Sequence, residues 1–308
     1  EDELRAEFSK GEPDVDAVRQ LCVQHGVPAA LRGKIWQVLL GVLNKKANLE
    51  VWAEDSEQVE DQQVIRADVQ RTRQSIPKFK TEQVQHDLEM LLVVYCKRRS
   101  VKYTQGLNEL LAPFFDLDLD TGSIFNCFYA LVQKFLPNTL RGHDLKTLRR
   151  SLELFKLLLR YHRPTLANLL EQAMVNPDLY ATSWFATLLA GDNTLPVVHA
   201  LWDEVIVRDD PLLIFFIALA LVARSSHAIL AASPDDAATL LRSIKIASPD
   251  DVAAIVKAAA EFVSATPKSF RRTLHRATMQ DEANAQLDTL LSSTPLVTVT
   301  AQEVGAER

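Results

Sequence analysis

Apolar residues recur along this chain every three or four positions, which is the spacing of amphipathic α-helices rather than of strands. Two such stripes consist of Val84, Leu88, Leu91 and Tyr95, and of Leu145, Leu148, Leu152, Phe155 and Leu159. Each stripe needs a neighbouring element against which it can be buried. The pattern therefore predicts an all-α protein built from many packed helices.

Helix starts are marked by capping residues and by proline. Ser-Pro-Asp-Asp occurs at 233–236 and again at 248–251. Ser is a favoured N-cap, Pro fits the first turn, and Asp is stabilised near the positive end of a helix. The longest apolar run, 211–223, has 13 residues, whereas a membrane-spanning helix needs about 20. We interpret this run as a buried core helix and predict no transmembrane segment.

The boundaries of the chain differ in character from its interior. Nothing resembling a flexible linker interrupts residues 14–275, which predicts one large multi-helix domain. Residues 1–13 are a charged N-terminal flank, and residues 276–308 are predicted to be a C-terminal helix and a polar tail. Flanks of this kind are often poorly ordered. Residues 44–63 are the least periodic interior segment, which predicts an insertion or a mobile stretch.

Composition and charge narrow the class of protein. Only 9 of 308 residues are glycine, well below the usual share of about 7%, so the turns that many short strands need are missing. A formal net charge of -6 argues against a nucleic-acid partner, which would require a concentrated basic face. The 3 cysteines lie far apart without metal-binding spacing, so we expect no metal site and a reduced, cytoplasmic protein.

The common catalytic motifs are absent from the sequence. It contains no P-loop, no GxGxxG, no GxSxG and no HExxH, and its 7 histidines show no ligand spacing. We therefore predict that the chain lacks a nucleophile, metal or cofactor of its own.

Two short segments carry the candidate chemistry: IRADVQRT at 65–72 and YTQGLN at 103–108. On a helix, Ile65 and Asp68 share a face, and Asp68 lies one turn before Arg71, so its carboxylate can hold the guanidinium. Taken alone, this spacing is typical of a solvated helix face with an ion pair worth a few tenths of a kcal/mol.

Together, however, these segments resemble the paired finger motifs IxxDxxR and YxQ of TBC-domain Rab GTPase-activating proteins. Further matching stretches follow the family's order over roughly residues 20–275: Gly26-Val27-Pro28, Leu31-Arg32-Gly33, Trp36, Leu39-Leu40-Gly41, Trp184, Leu195-Pro196 and Leu201-Trp202-Asp203. Any one of these motifs is weak, but several in the correct order are strong. Within them we interpret five residues as structural anchors: Arg32, Trp36, Trp184, Trp202 and Asp203.

The resemblance implies a TBC fold and a GTPase-activating function. The partner of this chain would be a Rab-family small GTPase in the GTP-bound state. Arg71 would supply it with an arginine finger and Gln105 with a glutamine finger. The supporting residues would be Ile65, Asp68, Tyr103, Gly106 and Asn108. GTP and Mg²⁺ would be carried by the partner, so we expect no cofactor and no independent catalytic activity. Recruitment to membranes would occur peripherally, through partners.

The two finger residue types suit this chemistry. A guanidinium stays charged and donates two hydrogen bonds in a fixed planar geometry, and an arginine finger supplied in trans is worth about 10³ to 10⁵ in rate. A carboxamide can donate to a phosphate oxygen or orient the attacking water. Two other functions stay open: a catalytically silent TBC module that binds a GTPase or adaptor as a scaffold, and a helical scaffold without a GTPase partner. Loss of a finger residue would favour the silent module, and neither finger is lost.

Overall fold

The structure is a computed structural model that describes residues 1–47, 49, 61–140 and 145–280. Within these ranges the chain forms α-helices and short 3₁₀ helices but no strand, so the all-α prediction is confirmed. Most of the predicted insertion at 44–63 and the predicted polar tail beyond residue 280 lie outside the described residues. The domain boundaries at 14 and 275 stay a prediction.

The helices with defined bounds are numbered here in chain order. They are α1 (Asp2–Phe8), α2 (Val15–His25), α3 (Arg32–Leu39), α4 (Gln62–Arg71), α5 (Glu82–Arg99), α6 (Leu107–Phe115), α7 (Thr121–Phe135), α8 (Lys146–His162), α9 (Pro164–Gln172), α10 (Thr182–Ala186), α11 (Leu195–Arg208), α12 (Leu213–Arg224), α13 (Ser226–Ala231), α14 (Pro234–Ser243), α15 (Pro249–Ala265) and α16 (Lys268–Met279). Short 3₁₀ helices occupy Ala29–Leu31, Pro77–Lys80 and Pro177–Leu179.

The chain divides into two compact units. The first unit contains the described residues of 1–136 together with Thr194–Pro211, and so holds α1 to α7 and α11. The second unit contains the described residues of 137–140, 145–193 and 212–280, and so holds α8 to α10 and α12 to α16.

The core of the first unit contains an aromatic cluster contributed by α3, α6 and α11. The Trp36 ring meets the Phe114 ring edge-on, with centroids 5.7 Å apart, and lies 6.0 Å from the Trp202 ring. Phe114 also lies 5.7 Å from Trp202. Because all three rings are fully buried, they fix α6 firmly against α3 and α11.

A buried carboxylate ties α3 to α11 beside these rings. Arg32 Nε donates to both oxygens of Asp203, at 3.1 and 3.0 Å, and Trp36 Nε1 donates to Asp203 Oδ1 at 2.8 Å. Burial raises the pKa of Asp203 to about 6, against the opposing effect of Arg32 and Trp36. At neutral pH the carboxyl is therefore mostly ionised and pairs with the guanidinium.

The buried His199 of α11 makes the stability of this core depend on pH. Its Nε2 lies 3.0 Å from the Pro113 carbonyl oxygen of α6, and burial lowers the pKa of the imidazole despite that hydrogen bond. The neutral ring therefore donates Nε2–H to the carbonyl.

As the pH falls below about 6.5, the unfolded chain takes up a proton on this histidine that the folded chain does not. We expect the free energy of unfolding to fall by at most about 1.4 kcal/mol from this group between pH 7.5 and pH 5.5. Urea unfolding of wild type and of His199→Gln at both pH values measures the difference. An equal pH-dependent loss in the variant would assign the effect to other groups.

The second unit is built around the apolar run predicted as a core helix. That run forms α12, in which every residue from Leu213 to Val222 is buried, and α12 packs against α15. The core-helix prediction is confirmed. Trp184 of α10 is also buried in this unit, edge-on to the Tyr180 ring with centroids 5.5 Å apart. Among the residues that the structure describes, no helix combines the length and the apolar character needed to cross a membrane.

Two local expectations need correction. The N-terminal flank contains a helix, α1, whose Leu4 is buried, and Glu7 accepts a hydrogen bond from the Asp14 backbone N–H at 2.9 Å. Ser233 caps α14 as expected, but the Ser248 hydroxyl donates to the Asp251 carboxylate at 3.0 Å instead of capping α15. Ser233 also donates to a carboxylate, that of Asp236, at 2.6 Å, so the difference lies in the backbone: φ is -66° at Ser233 and -147° at Ser248.

Candidate functional site

Helix α4 presents Arg71 at its C-terminal end. Ile65, Asp68 and Val69 are buried at the spacing i, i+3 and i+4, and this face packs the helix against α5. On the flank of α4, Arg66 pairs with Glu89 of α5, with Nη2 and Oε1 2.8 Å apart. The helix is therefore fixed along two sides, which sets the direction in which its last residue points.

Arg71 is anchored at one end and open to solvent at the other. Its side chain is 59% exposed, while the side chain of its ion-pair partner Asp68 is 2% exposed. Nη2 of the guanidinium bonds to Oδ1 of that carboxylate. The expected ion pair is thus present, and it leaves most of the guanidinium available to a partner molecule.

Gln105 lies in the tight turn that precedes α6. Its side chain is exposed, whereas Tyr103 and Gly106 on either side of it are buried. Gly106 has φ of 109°, a conformation that residues with a Cβ rarely adopt. The turn is closed by the Leu107 N–H, which donates to the Thr104 carbonyl at 3.2 Å. The backbone therefore projects the Gln105 carboxamide outward from a buried base.

A buried set of polar contacts, most of them hydrogen bonds, joins the segment that carries Arg71 to the turn that carries Gln105. The Tyr103 hydroxyl donates to Asp68 Oδ2 at 2.9 Å and lies 3.2 Å from Asn108 Oδ1. Asn108 Nδ2 donates to Thr72 Oγ1 at 2.9 Å, and the Thr72 hydroxyl donates to the Asp68 carbonyl at 2.7 Å. Asn108 Oδ1 also accepts from the Gly106 N–H at 3.2 Å. We call Asp68, Thr72, Tyr103 and Asn108 the polar ring.

The electrostatics of the polar ring favour its hydrogen-bonded form. Burial raises the pKa of Tyr103, and the neighbouring Asp68 carboxylate raises it further, so the phenol remains a proton donor at neutral pH. The Tyr103 backbone N–H is also bound, because it donates to Asp61 Oδ2 at 3.1 Å. Both hydrogen-bond donors of this residue are therefore satisfied inside the protein.

Several positioning residues were not predicted from the sequence. Thr72 closes the polar ring, and Asp61 holds the Tyr103 backbone. Arg73, with φ of 50°, pairs with Glu109 of α6 across 3.0 Å between Nη2 and Oε2, which is a further tie between the two segments. Only the opposite charges of Arg73 and Glu109 could have suggested their pairing, and nothing in the sequence places them together.

The predicted site residues fall into separate groups. Asp68, Tyr103 and Asn108 meet in the polar ring, Arg71 bonds to Asp68, and Gln105 lies in the turn between Tyr103 and Asn108. Gly106 shapes the turn, and Ile65 packs in the interior of the first unit. The predicted structural anchors Arg32, Trp36, Trp202 and Asp203 belong to the aromatic core of that unit, and Trp184 lies in the second unit.

The chemistry offered by this surface is hydrogen bonding and positive charge. In the described part of the chain, no three or more His, Cys, Asp or Glu side chains gather as metal ligands would. The exposed guanidinium of Arg71 and the exposed carboxamide of Gln105 project from the two segments that the buried polar ring joins. A guanidinium can bind an anionic group, and a carboxamide can orient a water molecule.

Comparison with protein families gives a match to one of them. The model of the Rab-GTPase-TBC domain matches residues 29–230. A TBC domain-containing protein kinase-like protein of Dictyostelium discoideum is 28% identical over 228 residues, covering 71% of this chain and 21% of that protein. The GTPase-activating protein GYP5 of Eremothecium gossypii is 28% identical over 212 residues, covering 66% and 24%. The chain spans about a fifth of the length of the curated relatives that it matches first.

Solved structures show the same fold. The Ypt/Rab-GAP domain of Gyp1p superposes with a TM-score of 0.74 at 19% identity, covering 82% of this chain and 93% of that domain. The Chlamydomonas flagellar RabGAP TBC domain superposes with a TM-score of 0.67, also at 19% identity, covering 83% and 89%. At these identities the likeness concerns the fold alone.

Proposed function

The chain belongs to the Rab-GTPase-TBC domain family, and from this premise we propose that it accelerates GTP hydrolysis by a Rab-family small GTPase. In the proposal, Arg71 and Gln105 enter the nucleotide site of the GTP-bound partner. The observation that carries it is the polar ring, because it joins the two segments from which the exposed side chains of Arg71 and Gln105 project.

Arg71 would stabilise charge on the transferring phosphoryl group. Negative charge spreads over the equatorial oxygens of that group in the transition state, and a guanidinium can donate to two of them at once. Asp68 binds only one edge of the Arg71 guanidinium, through Nη2, and fixes its orientation. The remaining N–H groups are left to face the phosphates.

Gln105 would position the water molecule that attacks the γ-phosphorus. Its carboxamide oxygen can accept from that water while its NH₂ group donates to a phosphate oxygen. Because Tyr103 and Gly106 are buried on either side of it, the carboxamide is held above a fixed backbone. GTP and Mg²⁺ belong to the partner in this proposal, and the chain contributes only these two side chains to the reacting centre.

Multiple-turnover GTP hydrolysis by a panel of purified Rab GTPases tests the proposal. We expect wild type to accelerate at least one member of the panel and Arg71→Ala to lose that acceleration. Gln105→Ala should lower it about a hundredfold, as removal of a transition-state hydrogen bond does elsewhere. Gln20→Ala, which removes an exposed glutamine of α2 in the same unit, serves as the matched control and should leave the rate unchanged.

Binding measurements on the same panel separate this proposal from its alternatives. Binding of a GTP-loaded Rab without acceleration would indicate a catalytically silent module. Absence of both binding and acceleration across the panel would indicate a scaffold without a GTPase partner. Acceleration that survives in both finger variants would contradict the roles assigned to Arg71 and Gln105.

A further inference from the structure

We propose that the exposed face of α4 formed by Val64 and Ala67 is a docking surface for the same GTPase, contacting an apolar patch beside the partner's nucleotide cleft. This inference rests on the function proposed above and adds a recognition element to it. We call Val64 and Ala67 the apolar face.

The first observation is an exposed apolar side chain on the helix that carries the arginine. Val64, in the first turn of α4, is 51% exposed, and Ala67 is exposed one turn later. The opposite side of α4 is occupied by the interior and by α5. Among the described residues of the first unit, Val64 and Ala67 are therefore on an exposed side of the helix.

The second observation is the direction of the apolar face. At about 100° per residue, Val64, Ala67 and Arg71 fall within about 60° of one another around the helix. Val64 lies two turns before Arg71, which is about 10 Å along the axis. The apolar face and the arginine therefore point toward the same partner.

Any protein that reaches Arg71 with a stable interface also covers Val64. A stable protein interface covers about 800 Å² on each side, or roughly 30 Å across. An interface centred on Arg71 therefore extends past Val64. An exposed valine enclosed in this way is stabilised only against an apolar surface, because a polar partner group facing it would lose its hydration without gaining a hydrogen bond. This chemistry selects a GTPase with an apolar patch next to its anionic nucleotide.

Steady-state kinetics with a matched control test the docking surface. Val64→Gln replaces the apolar side chain with an uncharged polar one of good helix propensity, and Val64→Met keeps the site apolar. Val23→Gln makes the same change at a valine of α2 that is 64% exposed in the same unit. KM and kcat are measured with the GTP-loaded Rab that wild type activates best. Equilibrium binding to that Rab, loaded with a non-hydrolysable GTP analogue, is measured in parallel.

We expect Val64→Gln to raise KM and the dissociation constant about five- to tenfold, with kcat unchanged, because burial of a valine contributes on that scale. Val64→Met and Val23→Gln should stay within about twofold of wild type by the same reasoning. Unchanged binding in Val64→Gln overturns the docking surface, and a fall in kcat with unchanged KM overturns it too, since the residue would then act through Arg71.

The same measurements distinguish the two proposals. If wild type accelerates no Rab but binds one, and Val64→Gln weakens that binding, the docking surface stands and the catalytic proposal fails. If Arg71→Ala abolishes acceleration while Val64→Gln binds normally, the catalytic proposal stands and the docking surface fails. If wild type binds none of the Rabs in the panel, both are overturned.

Discussion

Arg71→Lys is expected to reduce the maximal acceleration of GTP hydrolysis about a thousandfold, nearly as much as Arg71→Ala. That loss corresponds to about 4 kcal/mol of transition-state stabilisation. Lysine retains the charge but presents it as a point, so it cannot donate two parallel hydrogen bonds to phosphoryl oxygens. The guanidinium bonds to the buried Asp68 through Nη2 and has N–H groups on two further nitrogens for the phosphates, whereas all three donors of lysine share one nitrogen.

A single-turnover measurement at saturating concentrations of the activator isolates this effect from binding. Arg66→Lys is the matched control, because Arg66 lies on the same helix, is 57% exposed, and pairs with a carboxylate of α5. We expect the control to keep wild-type acceleration. Retention of more than a tenth of the acceleration by Arg71→Lys would show that positive charge alone is sufficient, which contradicts the bidentate role.

Asp203→Ala is expected to lower the free energy of unfolding by about 3 to 5 kcal/mol. Asp203 and Arg32 are largely buried, with 12% and 16% of their side chains exposed, so the substitution leaves a guanidinium in the interior without its counter-charge. It also removes the acceptor of the buried Trp36 indole N–H. Each of these groups loses its hydrogen-bond partner without regaining water.

Urea unfolding at pH 7.5, monitored by tryptophan fluorescence, measures this change in the free energy of unfolding. The neighbouring Glu204→Ala is the control, because Glu204 pairs with Arg208 on the helix surface, where their side chains are 35% and 46% exposed. We expect about 0.5 kcal/mol or less for that variant. A loss below about 1 kcal/mol for Asp203→Ala, on the scale of a surface pair, would mean that the buried pair and the indole find other partners.

The fold class was predictable from periodicity, and so was the local geometry on one helix. The apolar stripes and the run at 211–223 predict buried helices because a 3.6-residue repeat gives each helix one apolar face. The pairing of Asp68 with Arg71 follows from their i, i+3 spacing on α4. Both features depend on residues close together in the chain, where backbone geometry alone determines which side chains meet.

The assembly of the site was not predictable in the same way. Tyr103 lies 35 residues from Asp68, and Asn108 lies 36 residues from Thr72, so their contacts depend on how α4 and α6 pack. The resemblance implied a supporting role for Asn108, but nothing in the sequence indicated its contact with Thr72. Periodicity contains no information on such pairings, because it describes one helix at a time. The resemblance to a family supplied Gln105, whose side chain by itself shows no sign of function.

The polar ring also bears on how the protein meets its partner. Arg71 and Gln105, which we propose as the two fingers, lie on backbone that the polar ring already holds in place, so the proposed site is preorganised. Ordering a residue's backbone costs about 1–2 kcal/mol of conformational entropy. Here that entropy is lost on folding, so it does not reduce the free energy of association. Association would restrict mainly the rotamers of two side chains. A GTPase should thus find both groups in place in a single collision, with no slow rearrangement between binding and hydrolysis.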